Sequence, residues 1–255
     1  MNTIIQYYSD LHIEHNMDKK IMFNPVRIKD SINILILAGD IGDPKTSKYW
    51  DFIKIHSYLY NHIILITGNH EYYGFTIEDT DNLITEMITH MKLKNVYFLN
   101  NKSIILNGIK FIGSTFWSYI PLEYETDVIT YLNDYKYIQN FNVSKCNNLH
   151  SISKKYIQDE LDKKEVNNAI VISHHAPTFN YSSHPLHNGK TTNCAFSSNS
   201  DELVSKSTYW IFGHTHYNYP EYNDHKYTSK LKTNQLGYNW DRPTKGFNYN
   251  SYIQL

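Results

Sequence analysis

Five short apolar runs in this chain each end at a polar residue able to bind a metal, and that repeated ending limits what the chain can fold into. Ile4–Tyr8 leads to Asp10 and His12, Ile34–Ala38 to Gly39-Asp40, and Ile63–Ile66 to Gly68-Asn69-His70-Glu71. Further on, Ala169–Ser173 leads to His174-His175, and Tyr209–Phe212 to Gly213-His214-Thr215-His216. The run 34–38 is apolar at every position, which predicts an interior strand buried on both faces under helices. Such strands make α/β sheets, and ligands of open α/β sheets sit beyond the carboxyl ends of the strands. One polar strand end is an ordinary turn. Five of them, all carrying oxygen or nitrogen donors, point to a metal site.

The intervening segments fit that class. Spacing predicts helices over 47–60, with Trp50, Ile53, Tyr58 and Leu59 on one side, and over 77–91, with Leu83, Ile84, Met87, Ile88 and Met91 in register. Short strands are expected at 96–99, 103–106 and 110–113, the last two joined by the hairpin turn Asn107-Gly108. Residues 116–141 are aromatic and irregular, and no regular element is assigned there. A polar, mostly exposed helix is expected over 151–165, a loop rich in Ser, Asn, His and Gly over 178–200, and a short helix near 201–206. The tail reads as strand-like at 226–233 and 251–255, with a turn at Gly237-Tyr238. No repeat or linker divides the 255 residues, so one domain spanning 1–255 is expected.

Composition excludes several classes. A formal net charge of −1 does not indicate a broad nucleic-acid face, although a small nucleotide site stays open. No apolar run approaches the roughly 20 residues that cross a bilayer, and the start Met1-Asn2-Thr3 lacks a leader pattern, so a cytoplasmic protein is expected. Cys146 and Cys194 are far apart and suggest neither a disulfide framework nor a thiolate metal site.

The donors at the strand ends are carboxylates, imidazoles and an amide, a mixture suited to Mn²⁺, iron or Zn²⁺. Two carboxylates, four or more imidazoles and an amide exceed what one ion usually takes. A pair of ions roughly 3.5–4 Å apart uses them all, with Asp40 the best candidate to bridge.

In this order the motifs Asp10-x-His12, Gly39-Asp40, Gly68-Asn69-His70-Glu71, the strand into His174, and Gly213-His214-x-His216 resemble the signature of the calcineurin-like metallophosphoesterase family. The resemblance spans residues 10 to 216. It implies a four-layer αββα sandwich of two mixed sheets flanked by helices, with two divalent cations at the strand ends, manganese being the expected metal. It also implies that Asp10, His12 and His216 hold one metal, that Asn69, His174 and His214 hold the other, and that Asp40 joins them. His70 would then be the histidine that binds no metal and stands beside the scissile ester, assisting the leaving group, with Asn69 and Asp40 completing the catalytic set. Members often carry one histidine before the proline; here His174 and His175 are adjacent. His174 is taken as the ligand and His175 as its neighbour or a phosphate contact.

The expected function is therefore metal-dependent hydrolysis of a small phosphate ester, either a mono- or a diester, with hydroxide generated between the metals. A nuclease or nucleotide phosphodiesterase is the alternative, and a non-catalytic metal-binding scaffold a third reading that the complete ligand set disfavours. Glu71 is expected to be structural, bonding to backbone or to a neighbouring histidine. Trp117 and Tyr119 read as pocket wall or as core. His184 and His187 read as surface loop, and His15, His56, His62, His90, His150 and His225 as ordinary histidines.

Overall fold

In the computed structural model, residues 2–16, 21–218, 230–238 and 246–255 are described. His225 and residues 226–229 of the strand expected over 226–233 lie outside them. Two five-stranded sheets form the centre. The first has the order β10-β1-β2-β3-β4, built from β1 (Thr3–Tyr8), β2 (Ile32–Ala38), β3 (His62–Ile66), β4 (Val96–Phe98) and β10 (Tyr252–Gln254). The second has the order β5-β6-β7-β8-β9, built from β5 (Lys102–Leu106), β6 (Ile109–Ser114), β7 (Asn168–Ser173), β8 (Tyr209–Phe212) and β9 (Leu231–Thr233). Each sheet is parallel except at one edge, where β10 on β1 and β5 on β6 run antiparallel. Both are mixed sheets, as expected.

Alternation along each strand stacks the layers. Ile34, Ile36, Ile64 and Ile66 point into an apolar layer shared with Phe111, Ile170, Ile172 and Ile211 of the second sheet. Leu35, Leu37, Ile63 and Leu65 point the other way, onto Trp50 and Ile53 of α1 (Ser47–Ser57) and Ile84 of α2 (Ile77–His90). On the far side, Val171, Trp210 and Phe212 pack against Ile157 and Leu161 of α5 (Val143–Asp162) and Leu203 and Val204 of α6 (Asp201–Lys206). The order is helix, sheet, sheet, helix.

Three segments differ from expectation. α1 stops at Ser57, and Tyr58 is 75% exposed because the chain turns there to enter β3. α5 begins at Val143, a full two turns early, since the Asn142 side chain accepts the Lys145 N–H and caps it. Its Cys146, His150, Ser153 and Ile157 are buried, so the helix is less exposed than its polarity suggests. Residues 116–141 contain α3 (Glu125–Tyr131) and α4 (Asp134–Tyr137), too short for a helical period to register in sequence.

Candidate metal centre

The carboxyl ends of β1, β2, β3, β7 and β8 meet at one end of the two sheets. The backbone makes sharp turns there. Asp10, His12, Asp40, His214 and His216 all adopt positive φ, between 41° and 71°, a left-handed region in which Asp, Asn and His are enriched among non-glycine residues. Asp10 and His12 therefore do not continue β1 as an extended strand. Each left-handed turn instead swings a donor across the strand end. Gly68 allows the closest approach: a Cβ there would stand 2.2 Å from Asp40 Oδ1 and 2.6 Å from His174 Nε2.

Two donor groups result. Asp10, His12 and His216 bring one ligand atom each within 4.8 Å of one another, and Asp40, His174 and His214 do the same. His12 Nε2 lies 3.1 Å from His216 Nε2, and His216 Nε2 lies 3.4 Å from Asp10 Oδ1. Asp40 stands between the groups, its Oδ2 3.4 Å from His174 Nε2 and 3.8 Å from His12 Nε2. Asn69 Oδ1 is 3.2 Å from His174 Nε2. His174 Nδ1 is engaged by the Ala38 carbonyl at 3.0 Å, which turns Nε2 toward the centre. His175 instead places Nδ1 3.3 Å from the Thr115 carbonyl and lies tilted against Trp117, and no donor group among the described residues contains it.

The charges are consistent with lone pairs converging on a buried point. Burial alone would raise Asp40, yet the His174 and His70 rings hold its carboxyl well below the usual range. Asp10 is likewise raised by burial but lowered overall by His216 and His174. Burial would depress His174, but the Asp40 carboxylate outweighs it and lifts the ring to about 9. Burial and the neighbouring His174 drop His175 to about 3, and burial with His175 holds His214 well below its ordinary value. His12 Nδ1 is buried without a hydrogen-bond partner. Two carboxylates and four imidazoles with one amide oxygen, gathered at a largely buried point, could hold divalent cations as the neutralising charge.

His70 begins a 3-10 turn (His70–Tyr72), and its backbone N–H donates to Asp40 Oδ1 at 2.9 Å. Its ring lies edge-on to His12 at 4.6 Å, and burial lowers its pKa despite the Asp40 charge. One ring nitrogen comes within the same 4.8 Å limit of His12 and Asp40 atoms. Glu71 does what its structural reading expects. Buried and pointing away from the donors, it accepts the N–H groups of Gly68 (2.7 Å), Asp40 (2.9 Å), Ile41 (2.7 Å) and Gly42 (3.4 Å). One side chain thus ties the β2 end to the β3 end. Burial and the Asp40 charge raise it to about 8, against the pull of those N–H donors.

Two supporting residues have no sequence signal. Asp134, buried at the start of α4, accepts the Asn69 Nδ2–H at 2.7 Å and the Tyr73 hydroxyl at 2.7 Å, leaving Asn69 Oδ1 toward the site. Burial raises its pKa. Tyr238 reaches in from the C-terminal segment, its hydroxyl 2.8 Å from His70 Nε2 and its ring stacked on His12 at 4.2 Å. Trp117 is core, 3% exposed, while Tyr119 is 53% exposed; His184 and His187 lie on an exposed turn.

Residues 7–218 match the family model for calcineurin-like phosphoesterases. The chain belongs to that family. Its members are metal-dependent phosphoester hydrolases, and this chain is a phosphoester hydrolase. It is 30% identical over 285 aligned positions to the uncharacterized protein L509 of Acanthamoeba polyphaga mimivirus, covering 99% of this chain and 96% of that one. Its fold is similar to that of phosphopantetheinyl hydrolase from Mycobacterium tuberculosis, with a TM-score of 0.70 and 14% identity over 100% of this chain and 96% of the other. No helix among the described residues is long and apolar enough to cross a membrane.

Proposed function

We propose that this chain hydrolyses a small phosphate ester using two divalent cations. One is held by Asp10, His12 and His216, the other by Asn69, His174 and His214, and Asp40 is shared. The observation that carries this reading is the position of Asp40, one buried carboxylate within 4 Å of an imidazole nitrogen of each group. Bound as a pair, the cations supply water acidified to near neutral pH and positive charge for the phosphoryl oxygens. Manganese is the metal we favour, iron and zinc accepting the same donors.

The chain's own residues do the rest. Asn69 is oriented by Asp134, so its amide oxygen is fixed before substrate arrives. His70, at the edge of the donor groups, is placed to give a proton to the leaving alkoxide. The likeness to phosphopantetheinyl hydrolase supports the fold and leaves the ester unassigned. The deciding experiment is a panel of chromogenic phosphate mono- and diesters assayed after reconstitution with Mn²⁺, Fe²⁺ or Zn²⁺. Turnover with at least one metal is expected. No turnover with any of them sinks this reading.

A further inference from the structure

A third donor group lies beside the two that the reaction uses. Glu14, His15 and His70 each bring a ligand atom within 4.8 Å of the others. Glu14 Oε1 is 3.6 Å from His15 Nε2 and 3.6 Å from His12 Nδ1, while Glu14 Oε2 is buried and has no hydrogen-bond partner. His15 is 42% exposed at its side chain, so the group opens to solvent, unlike the buried Asp40 and His174. The set is two imidazoles and one carboxylate, which zinc enzymes use when the ion keeps an open position.

We propose that Glu14, His15 and His70 form a third, inhibitory divalent-cation site selective for Zn²⁺. It rests on the function proposed above, because His70 is the residue it disables. An imidazole bound to a cation cannot carry a proton to the leaving group, so filling the site stops turnover while the two inner cations stay in place. The partly exposed set suits a four-coordinate Zn²⁺ that keeps a water, whereas Mn²⁺ asks for more donors than these three supply. Two neighbouring cations repel a third, which makes this site weaker than the inner pair and fills it only when Zn²⁺ is in excess.

The test uses the intact protein reconstituted with Mn²⁺ and then titrated with Zn²⁺, following turnover and, by equilibrium dialysis, metal bound per chain. Excess Zn²⁺ is expected to inhibit, with one more ion bound per chain than the uninhibited enzyme holds. His15→Ala should keep basal turnover, bind one ion fewer at the inhibitory concentration, and need about tenfold more Zn²⁺ for the same inhibition. Glu14→Gln should give the same loss of the extra ion. Inhibition and stoichiometry unchanged in His15→Ala would overturn the proposal and locate the inhibition at the inner cations. A wild-type chain that binds no divalent metal would instead overturn the two-cation function itself, and the two failures are told apart by the metal count.

Discussion

At the scale of single residues, the site separates groups that face the reaction from groups that hold them. His70 touches Asp40 through its backbone N–H and Tyr238 through its ring, so its side chain can be removed without removing the Asp40 contact. His70→Ala is expected to lower kcat by about 10²–10⁴-fold, the usual range for a lost general acid, with metal content near two per chain. Metal analysis of the purified variant checks it, and loss of an ion would make His70 a ligand. Asp134 reaches the donor set through its bond to Asn69. Asp134→Ala frees the amide to rotate, and metal affinity should fall about 10–100-fold, measured by dialysis against a buffered metal series. The residues that the structure gathers at the strand ends were legible in sequence because each follows closely on one of five apolar strands. Asp134 and Tyr238 were not, because they reach Asn69 and His70 from 65 and 168 positions away, a distance that no local pattern encodes.

At the scale of elements, the strands were readable because burial on both faces leaves them few polar positions, Gln6 in β1 and Lys110 in β6 among them. The helices were readable only where one face is apolar. α5 hides part of its contact with the second sheet behind charge. Lys110 of β6, 3% exposed, donates to the Glu160 carbonyl and pairs with its carboxylate at 2.6 Å. Burial would raise Glu160, but Lys110, Lys163 and Ser103 together pull it down to about 2, and Lys110 itself is raised by Glu160 and Glu165 against its burial. The sign follows from the lowered carboxylate. The stabilisation is complete above the ordinary value of 4.5 and is lost as pH falls from there toward 2. Glu160→Gln should cost roughly 1.5–3 kcal/mol at pH 7, because Lys110 keeps Glu165 but loses its buried carboxylate partner. The difference from wild type should shrink below pH 4.5, read by urea unfolding at a series of pH values.

At the scale of the whole molecule, each proposed cation joins the two sheets. Asp10, His12, Asp40 and Asn69 follow β1, β2 and β3 of the first sheet, while His174, His214 and His216 follow β7 and β8 of the second. Neither donor group is complete within one sheet. The apolar layer between the sheets holds their middles together. Their ligand-bearing ends bring buried carboxylates and imidazoles into contact, an arrangement that is costly without a cation. Metal binding is therefore linked to the docking of one sheet on the other, and any ligand that binds only the folded state stabilises it. At about 100 times its dissociation constant one cation contributes about 2.7 kcal/mol. Two contribute about twice that, and a chain of this size gains roughly 2–4 °C per kcal/mol. Chelation should lower Tm by roughly 10–20 °C, and Mn²⁺ should restore it. Asp40→Asn should abolish most of that metal-dependent shift if this carboxylate serves both ions as proposed, whereas His70→Ala should keep it. Differential scanning calorimetry with and without metal measures all three proteins. A shift equal in wild type and Asp40→Asn would mean that the ions bind somewhere other than between the sheets.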